Sequence, residues 1–188
     1  MGRPKALLQG PRGSFLRTVL ALLEEVGVQR ARVILGPPHG EEILAREPPD
    51  RLPLTPEVVM NPSPERGMLS SLQVGIVDLT AGAPPSILVW PVDHPLVTAS
   101  TVSQLIEGLA GGAPIVLPVH LGMRGHPVAF AGRLLPELMA ASLEIGARQV
   151  VRAHARELVE IAVEDTGVVR GIDAPSDYDR FMPPRSTG

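Results

Sequence analysis

The segment Ile87-Leu88-Val89-Trp90-Pro91-Val92 is nearly continuous apolar sequence that stops abruptly at Asp93. A strand with one wet face alternates polar and apolar residues; a strand covered on both faces, as in a parallel sheet, reads like this one. Neighbouring parallel strands must be joined by a crossover, usually a helix, so the run predicts helices on either side of it. The chain supplies them. Ser14 is a good N-cap, and Phe15, Val19, Leu22, Leu23 and Val26 recur at spacings of three and four, which predicts a helix up to Gly27. Met68, Leu69, Leu72, Ile76 and Leu79 share one face of a predicted helix over 67–79, and a further helix is predicted over 98–109.

Short apolar runs at 32–36, 58–60, 114–119, 127–130 and 158–163 read as strands, with helices at 41–45, 134–141 and 147–154. A last strand-like segment over 168–173 leads to Pro175, which suits the first turn of a helix. Strand and helix alternate throughout, which predicts an α/β three-layer sandwich with a mostly parallel central sheet. At 188 residues, against roughly 150 per domain, the expectation is one domain over 1–182 with a frayed tail at 183–188.

Composition narrows the function. A net charge of −3 and 3% aromatic residues offer neither a basic surface for phosphate backbones nor rings for stacking bases, which argues against nucleic-acid binding. There is no cysteine, so disulfides, thiolate metal sites and a cysteine nucleophile are excluded, as fits the cytoplasm. No apolar run approaches the length of about 20 residues that spans a bilayer, and none at the start resembles a signal peptide, so no membrane association is expected.

In open parallel sheets the functional groups collect at the carboxyl ends of strands. Three segments have that placement: 61–71, which includes Asn61, Gly67, Met68, Ser70 and Ser71; Asp93-His94-Pro95; and Asp173-Ala174-Pro175-Ser176-Asp177. A lone carboxylate closing an apolar strand is costly unless bonded, paired or bound to a metal. Asp93 therefore either caps the turn toward Thr98 or serves a ligand, and Asp173 presents the same choice. Two such carboxylates without thiolates point to oxygen ligation of Mg²⁺. The backbone N–H groups and hydroxyls at 67–71 suit a ribose, base or phosphate oxygen, or else form an ordinary helix start. Lys5 is the one lysine among 17 basic residues and Asn61 the one asparagine. His126, in Arg124-Gly125-His126-Pro127, stands on a turn where an imidazole either faces an acceptor or is structural. The sequence lacks a nucleophile elbow, a Walker lysine motif and an internal GxGxxG.

In this order the motifs resemble the molybdenum-cofactor cytidylyltransferase group of the MobA-like nucleotidyltransferases. The matching stretches are residues 1–8, 61–72, 92–97, 124–128, 146–148 and 172–177. The resemblance implies a Rossmann-like nucleotidyltransferase fold that transfers a nucleoside monophosphate from CTP or GTP to a phosphorylated acceptor such as molybdopterin and releases pyrophosphate. By that likeness Lys5 neutralises triphosphate charge, Asp93 and Asp173 hold Mg²⁺, and Asn61, Gly67, Met68, Ser70 and Ser71 line the nucleotide pocket. His126 and Arg124 face the acceptor.

Members of that family carry a strand and a loop of the form Leu-Ala-Ala-Gly-x-Ser-x-Arg ahead of the Met-Gly-x-x-Lys segment. With the sequence opening at Met1-Gly2, the expectation is a sheet lacking its first strand and most of that loop, with unpaired edges on the neighbouring strands and weak nucleotide binding. His94 stands where glutamine is frequent, Leu143-Glu144-Ile145 where Gly-Asp-x is usual, and Gly171 where an acidic residue is common. Two alternatives stay open: a non-catalytic relative that binds or delivers molybdenum cofactor to a molybdoenzyme partner, and a sugar-phosphate nucleotidyltransferase.

Overall fold

The computed structural model describes residues 3–182. Met1, Gly2 and the expected tail at 183–188 lie outside the described residues. A two-residue hairpin, β1 (Gln9–Gly10) and β2 (Gly13–Ser14), leads into α1 (Phe15–Glu25). The Ser14 hydroxyl accepts from the Arg17 N–H at 3.1 Å and caps the helix, which buries Phe15, Leu16, Val19, Leu20 and Leu22. Strand β3 (Arg32–Leu35), helix α2 (Gly40–Arg46) and strand β4 (Glu57–Met60) follow, and β3 and β4 pair in parallel from Arg32↔Glu57 to Leu35↔Met60. Arg32 pins this pair to the next helix by donating to Glu57 at 2.7 Å, to Asp78 at 2.7 Å and to the Gly75 carbonyl at 2.8 Å. The Asp78 carboxyl is held down at about 2 by the Arg32 guanidinium.

After α3 (Met68–Ile76) comes β5 (Ile87–Val89), the start of the apolar run that opened the sequence argument. It is shorter than that run. Pro91 has no N–H for a ladder, and the Trp90 indole turns to donate to the His94 carbonyl at 3.0 Å. Then follow α4 (Ala99–Ala110), β6 (Ile115–His120), β7 (Met123–Arg124), β8 (Val128–Phe130), α5 (Leu135–Ala140), α6 (Arg148–Ala153), β9 (Val159–Ala162) and α7 (Pro175–Phe181). β8 lies between β5 and β6 and is antiparallel to both, so β5 and β6 point the same way, as does β9, which pairs in parallel with β6. The sheet is therefore mixed, with β8 and β7 as its reversed members.

One expected strand does not form. Its first two residues, 168–169, instead close a 3₁₀ turn, Thr166–Val169, in which the Asp165 carboxylate accepts from the Gly167 N–H at 2.9 Å, and 170–173 form no regular element. Ile172 still follows the end of β5, giving its N–H to the Asp93 carbonyl at 2.8 Å.

Helices cover both faces of the sheet. Ile87 and Val89 pack with Leu69 and Ile76 of α3 and Leu138 of α5, whereas Leu88 and Trp90 pack with Leu22 of α1 and Val102 of α4. No helix among the described residues is long and apolar enough to cross a membrane. Among those residues β3 and β5 are not paired with each other, so the sheet is interrupted between them. A cavity of about 980 Å³ lies between them.

Candidate functional site

The carboxyl ends of β3 and β5 lie on one rim. Ala6 packs with Leu35 at the end of β3, while the neighbouring Lys5 ammonium donates to Asp93 Oδ2, just beyond β5, at 3.0 Å. The same ammonium bonds Asp173 Oδ1, so side chains far apart in sequence meet on one cation. Partial burial works against the Lys5 charge, but the hydrogen bonds to Asp173 and Asp93 outweigh it and hold the amine above its ordinary value. The Lys5 hydrogen bond and charge in turn hold the Asp173 carboxyl below its usual range. Asp173 is itself positioned by Asp177, whose carboxylate accepts from the N–H groups of Asp173 at 3.1 Å and Ala174 at 2.8 Å. Of the two sequence readings of Asp93, the turn cap finds no bond among the described residues, and the side chain pairs with Lys5. Asp165 takes that part, accepting from the Thr98 N–H at 2.8 Å and from the hydroxyls of Thr98 and Thr101.

Two histidines adjoin the carboxylates. His94 Nδ1 lies 3.2 Å from the Gly167 carbonyl, so it carries the proton, and Nε2 faces Asp93 Oδ1 at 3.9 Å. A Cβ on Gly171 would stand 3.3 Å from His94 Nε2 and 3.4 Å from Asp173 Oδ2, so glycine keeps the space between them free. The His126 ring lies 5.1 Å from that of His94, and its buried Nδ1 has no hydrogen-bond partner among the described residues. Burial pushes the His126 pKa below its ordinary 6.5, the neighbouring His94 adds to this, and Asp93 opposes it. In the unfolded chain the ring titrates near 6.5. As pH falls below that value the unfolded state takes up a proton that the folded ring resists, so stability falls until the lower folded value is reached. Proton NMR should show a His126 midpoint below 6.5, and a His126→Gln variant should lose less stability than the parent between pH 7 and 5 in urea titrations.

The remaining expected residues divide. Asn61, 2% exposed, donates to the Ser70 and Ser71 hydroxyls at 3.0 Å each and accepts from the Ser63 N–H at 2.9 Å. Ser70 is buried and hands its proton to the Gly67 carbonyl at 2.9 Å. Both residues brace the 61–71 loop from within. Gly67, at φ 96°, turns the chain into α3, and Met68, 60% exposed, and Ser71 stand beyond it. Arg124 is apart from the carboxylates, bound to Glu160 on β9 at 2.7 Å. Sequence reasoning misses Asp165, and it places Asp177 in the 173–177 segment without giving it a role. A signal for Asp177 exists, since an acidic residue in the first turn of a helix after proline is a capping signal.

Among the described residues no group of three or more His, Cys, Asp or Glu side chains could hold a metal ion. The rim instead offers two carboxylates that share the Lys5 ammonium, oxygen donors of the kind a hard divalent cation takes.

A model of the MobA-like NTP transferase domain matches residues 1–158. No curated protein matches the chain. Among solved structures, that of Rv0371c from Mycobacterium tuberculosis H37Rv is 24% identical, with a TM-score of 0.79 over 96% of this chain and 89% of that one. A second structure of that protein, complexed with manganese, is 24% identical with a TM-score of 0.74 over 95% and 91%. Molybdopterin-guanine dinucleotide biosynthesis protein A from Archaeoglobus fulgidus is 18% identical, with a TM-score of 0.62 over 95% and 89%. The 2-C-methyl-D-erythritol 4-phosphate cytidylyltransferase from Thermus thermophilus is 23% identical, with a TM-score of 0.59 over 93% and 89%. These likenesses are likenesses of fold.

Proposed function

Because the chain belongs to the MobA-like NTP transferase domain family, we propose that it transfers a nucleoside monophosphate from CTP or GTP to a phosphorylated acceptor of the molybdopterin type. The observation that carries this reading is the meeting of Lys5, Asp93 and Asp173 on one rim of the sheet. In the reaction an oxygen of the acceptor phosphate forms a bond to the α-phosphorus of the triphosphate. The bond from that phosphorus to the bridging oxygen breaks, and pyrophosphate leaves with the electron pair. Two anions must approach one another, so catalysis is chiefly positioning and charge compensation.

Asp93 and Asp173 would hold a divalent cation such as Mg²⁺, with the Lys5 ammonium marking where a cation is stable between them. When bound, such an ion supplies offsetting charge at the phosphate oxygens. Lys5 donates to triphosphate oxygens from the same rim. Gly67, Met68 and Ser71 line the nucleotide side, on a loop whose shape Asn61 and Ser70 fix. His126, kept neutral by its surroundings, faces the acceptor, and Arg124 joins it only by leaving Glu160.

Pyrophosphate release, measured with CTP or GTP, Mg²⁺ and molybdopterin, tests the proposal. Acceptor-dependent release with one of the two nucleotides is expected; none with either would overturn it.

A further inference from the structure

Asp165 stands off the rim, yet both imidazoles beside the carboxylates hang from the turn it closes. Its Oδ1 accepts from the Gly167 N–H at 2.9 Å. Its Oδ2 gathers the Thr98 N–H at 2.8 Å, the Thr98 hydroxyl at 3.0 Å and the Thr101 hydroxyl at 2.8 Å. One carboxylate thus ties the turn Thr166–Val169 to the start of α4. Two successive carbonyls of that turn then hold the histidines: Gly167 accepts from His94 Nδ1 at 3.2 Å, and Val168 accepts from the His126 N–H at 2.8 Å. Neither hold has slack. A Cβ on Gly125, next to His126, would lie 2.5 Å from the Val168 oxygen, and one on Gly167 would overlap the Leu96 carbonyl, so the turn is packed backbone to backbone on both sides.

What this arrangement fixes is the place of one proton. A neutral imidazole carries its proton on one nitrogen, and the bond made there leaves a lone pair on the other. A carbonyl only accepts, so the Gly167 oxygen keeps the His94 proton on Nδ1. Nε2 then presents a lone pair toward Asp93 Oδ1, 3.9 Å away, while Lys5 bonds the other oxygen, Oδ2. In the opposite tautomer an Nε2–H would reach for Oδ1 as a donor. Asp93 would then be engaged at both oxygens, and neither would be left for a ligand.

We propose that Asp165 is a positioning residue of the site: by closing the 166–169 turn it holds His94 in the Nδ1–H tautomer, and so keeps Asp93 Oδ1 open. The space this leaves is the one without a side chain at Gly171, where His94 Nε2 and Asp173 Oδ2 stand 3.3 Å and 3.4 Å from one point. Lone pairs border it, so it favours a hydrated divalent cation, whose waters donate, over a bare phosphate oxygen, which only accepts. The inference deepens the proposed reaction and rests on it for the rate measurement alone.

The tautomer is read by nitrogen-15 NMR of the histidine rings in the protein without nucleotide or metal, at about pH 8.5, well above the ordinary imidazole value. Asp165→Ala and Thr101→Val are compared with the parent. Alanine is chosen because asparagine keeps either the Gly167 bond or the bonds to α4. Thr101→Val removes one bond to Asp165 and spares the one to Gly167, so it controls for weakened capping of α4. The parent and Thr101→Val should show His94 protonated at Nδ1 alone. Asp165→Ala should show a mixture with the Nε2–H form and lose the Overhauser contact between the His94 and His126 rings. Pyrophosphate release should fall about ten-fold in Asp165→Ala and stay within about two-fold in Thr101→Val. The parent spectrum is a test by itself: a proton on Nε2 there would overturn the proposal, whatever the variants do. So would an unchanged ring in Asp165→Ala, or an equal change in Thr101→Val. If the parent releases no pyrophosphate, the proposed reaction falls, and the ring spectra still decide the role of Asp165.

Discussion

Asp93→Asn is expected to lower the rate of pyrophosphate release by about two to three orders of magnitude while leaving the melting temperature within a few degrees of the parent. The two effects separate because they draw on different properties of one side chain. Asparagine has the same shape and keeps an oxygen to accept from Lys5, and the bond from Ile172 to Asp93 uses the backbone carbonyl, which the change spares. With Asp93 24% exposed and Asp173 74% exposed, the ion pairs on Lys5 belong to the partly solvated class, worth about 0–1 kcal/mol to folding. The lost negative charge matters only where a cation and a triphosphate must be held together. Melting curves and initial rates on the same preparation check this. A variant that keeps its rate would remove Asp93 from the proposed metal site, and one that fails to fold would make it a structural residue.

The groups that meet on Lys5 were legible in the sequence because their placement is a matter of chain order. Asp93 closes an apolar run, Asp173 precedes a proline-started helix, and Lys5 has no other lysine to compete with it. Helix α1 was legible because its cap and its apolar stripe agree, and the structure ends it two residues before Gly27. What was not legible depends on partners distant in sequence. Nothing in residues 127–130 states that β8 runs backward; that is fixed by its register against β5 and β6. Asp165 looks like any polar turn residue until residues 98, 101 and 167 are brought around its carboxylate. Asn61 and Ser70 read as polar atoms offered to a ligand, but their bonds to one another and to nearby backbone can be assigned only once the loop is closed.

Gly167→Ala is expected to cost about 3 kcal/mol, a loss of about 6–12 °C in melting temperature for a chain of this size. The reason is contact, not conformation. A Cβ on Gly167 would overlap the carbonyl carbon and oxygen of Leu96 and lie 2.7 Å from the Val97 nitrogen. Those are backbone atoms leading into the cap of α4, and they have no rotamer by which to yield. Gly167 also gives its N–H to Asp165, and its carbonyl accepts from His94 Nδ1, so relief of the clash would move the groups that orient the imidazole beside Asp93. Pyrophosphate release should therefore fall along with stability, unlike the separation expected for Asp93→Asn. Gly111→Ala is the matched control: its φ is −71°, and the nearest atom to an added Cβ is the Gly108 oxygen at 3.4 Å. There a methyl group should leave stability unchanged or raise it by about 0.5 kcal/mol through the unfolded chain. If the two variants melt together, the packing of the 165–167 turn against Leu96 is looser than these contacts require, and its hold on His94 fails with it.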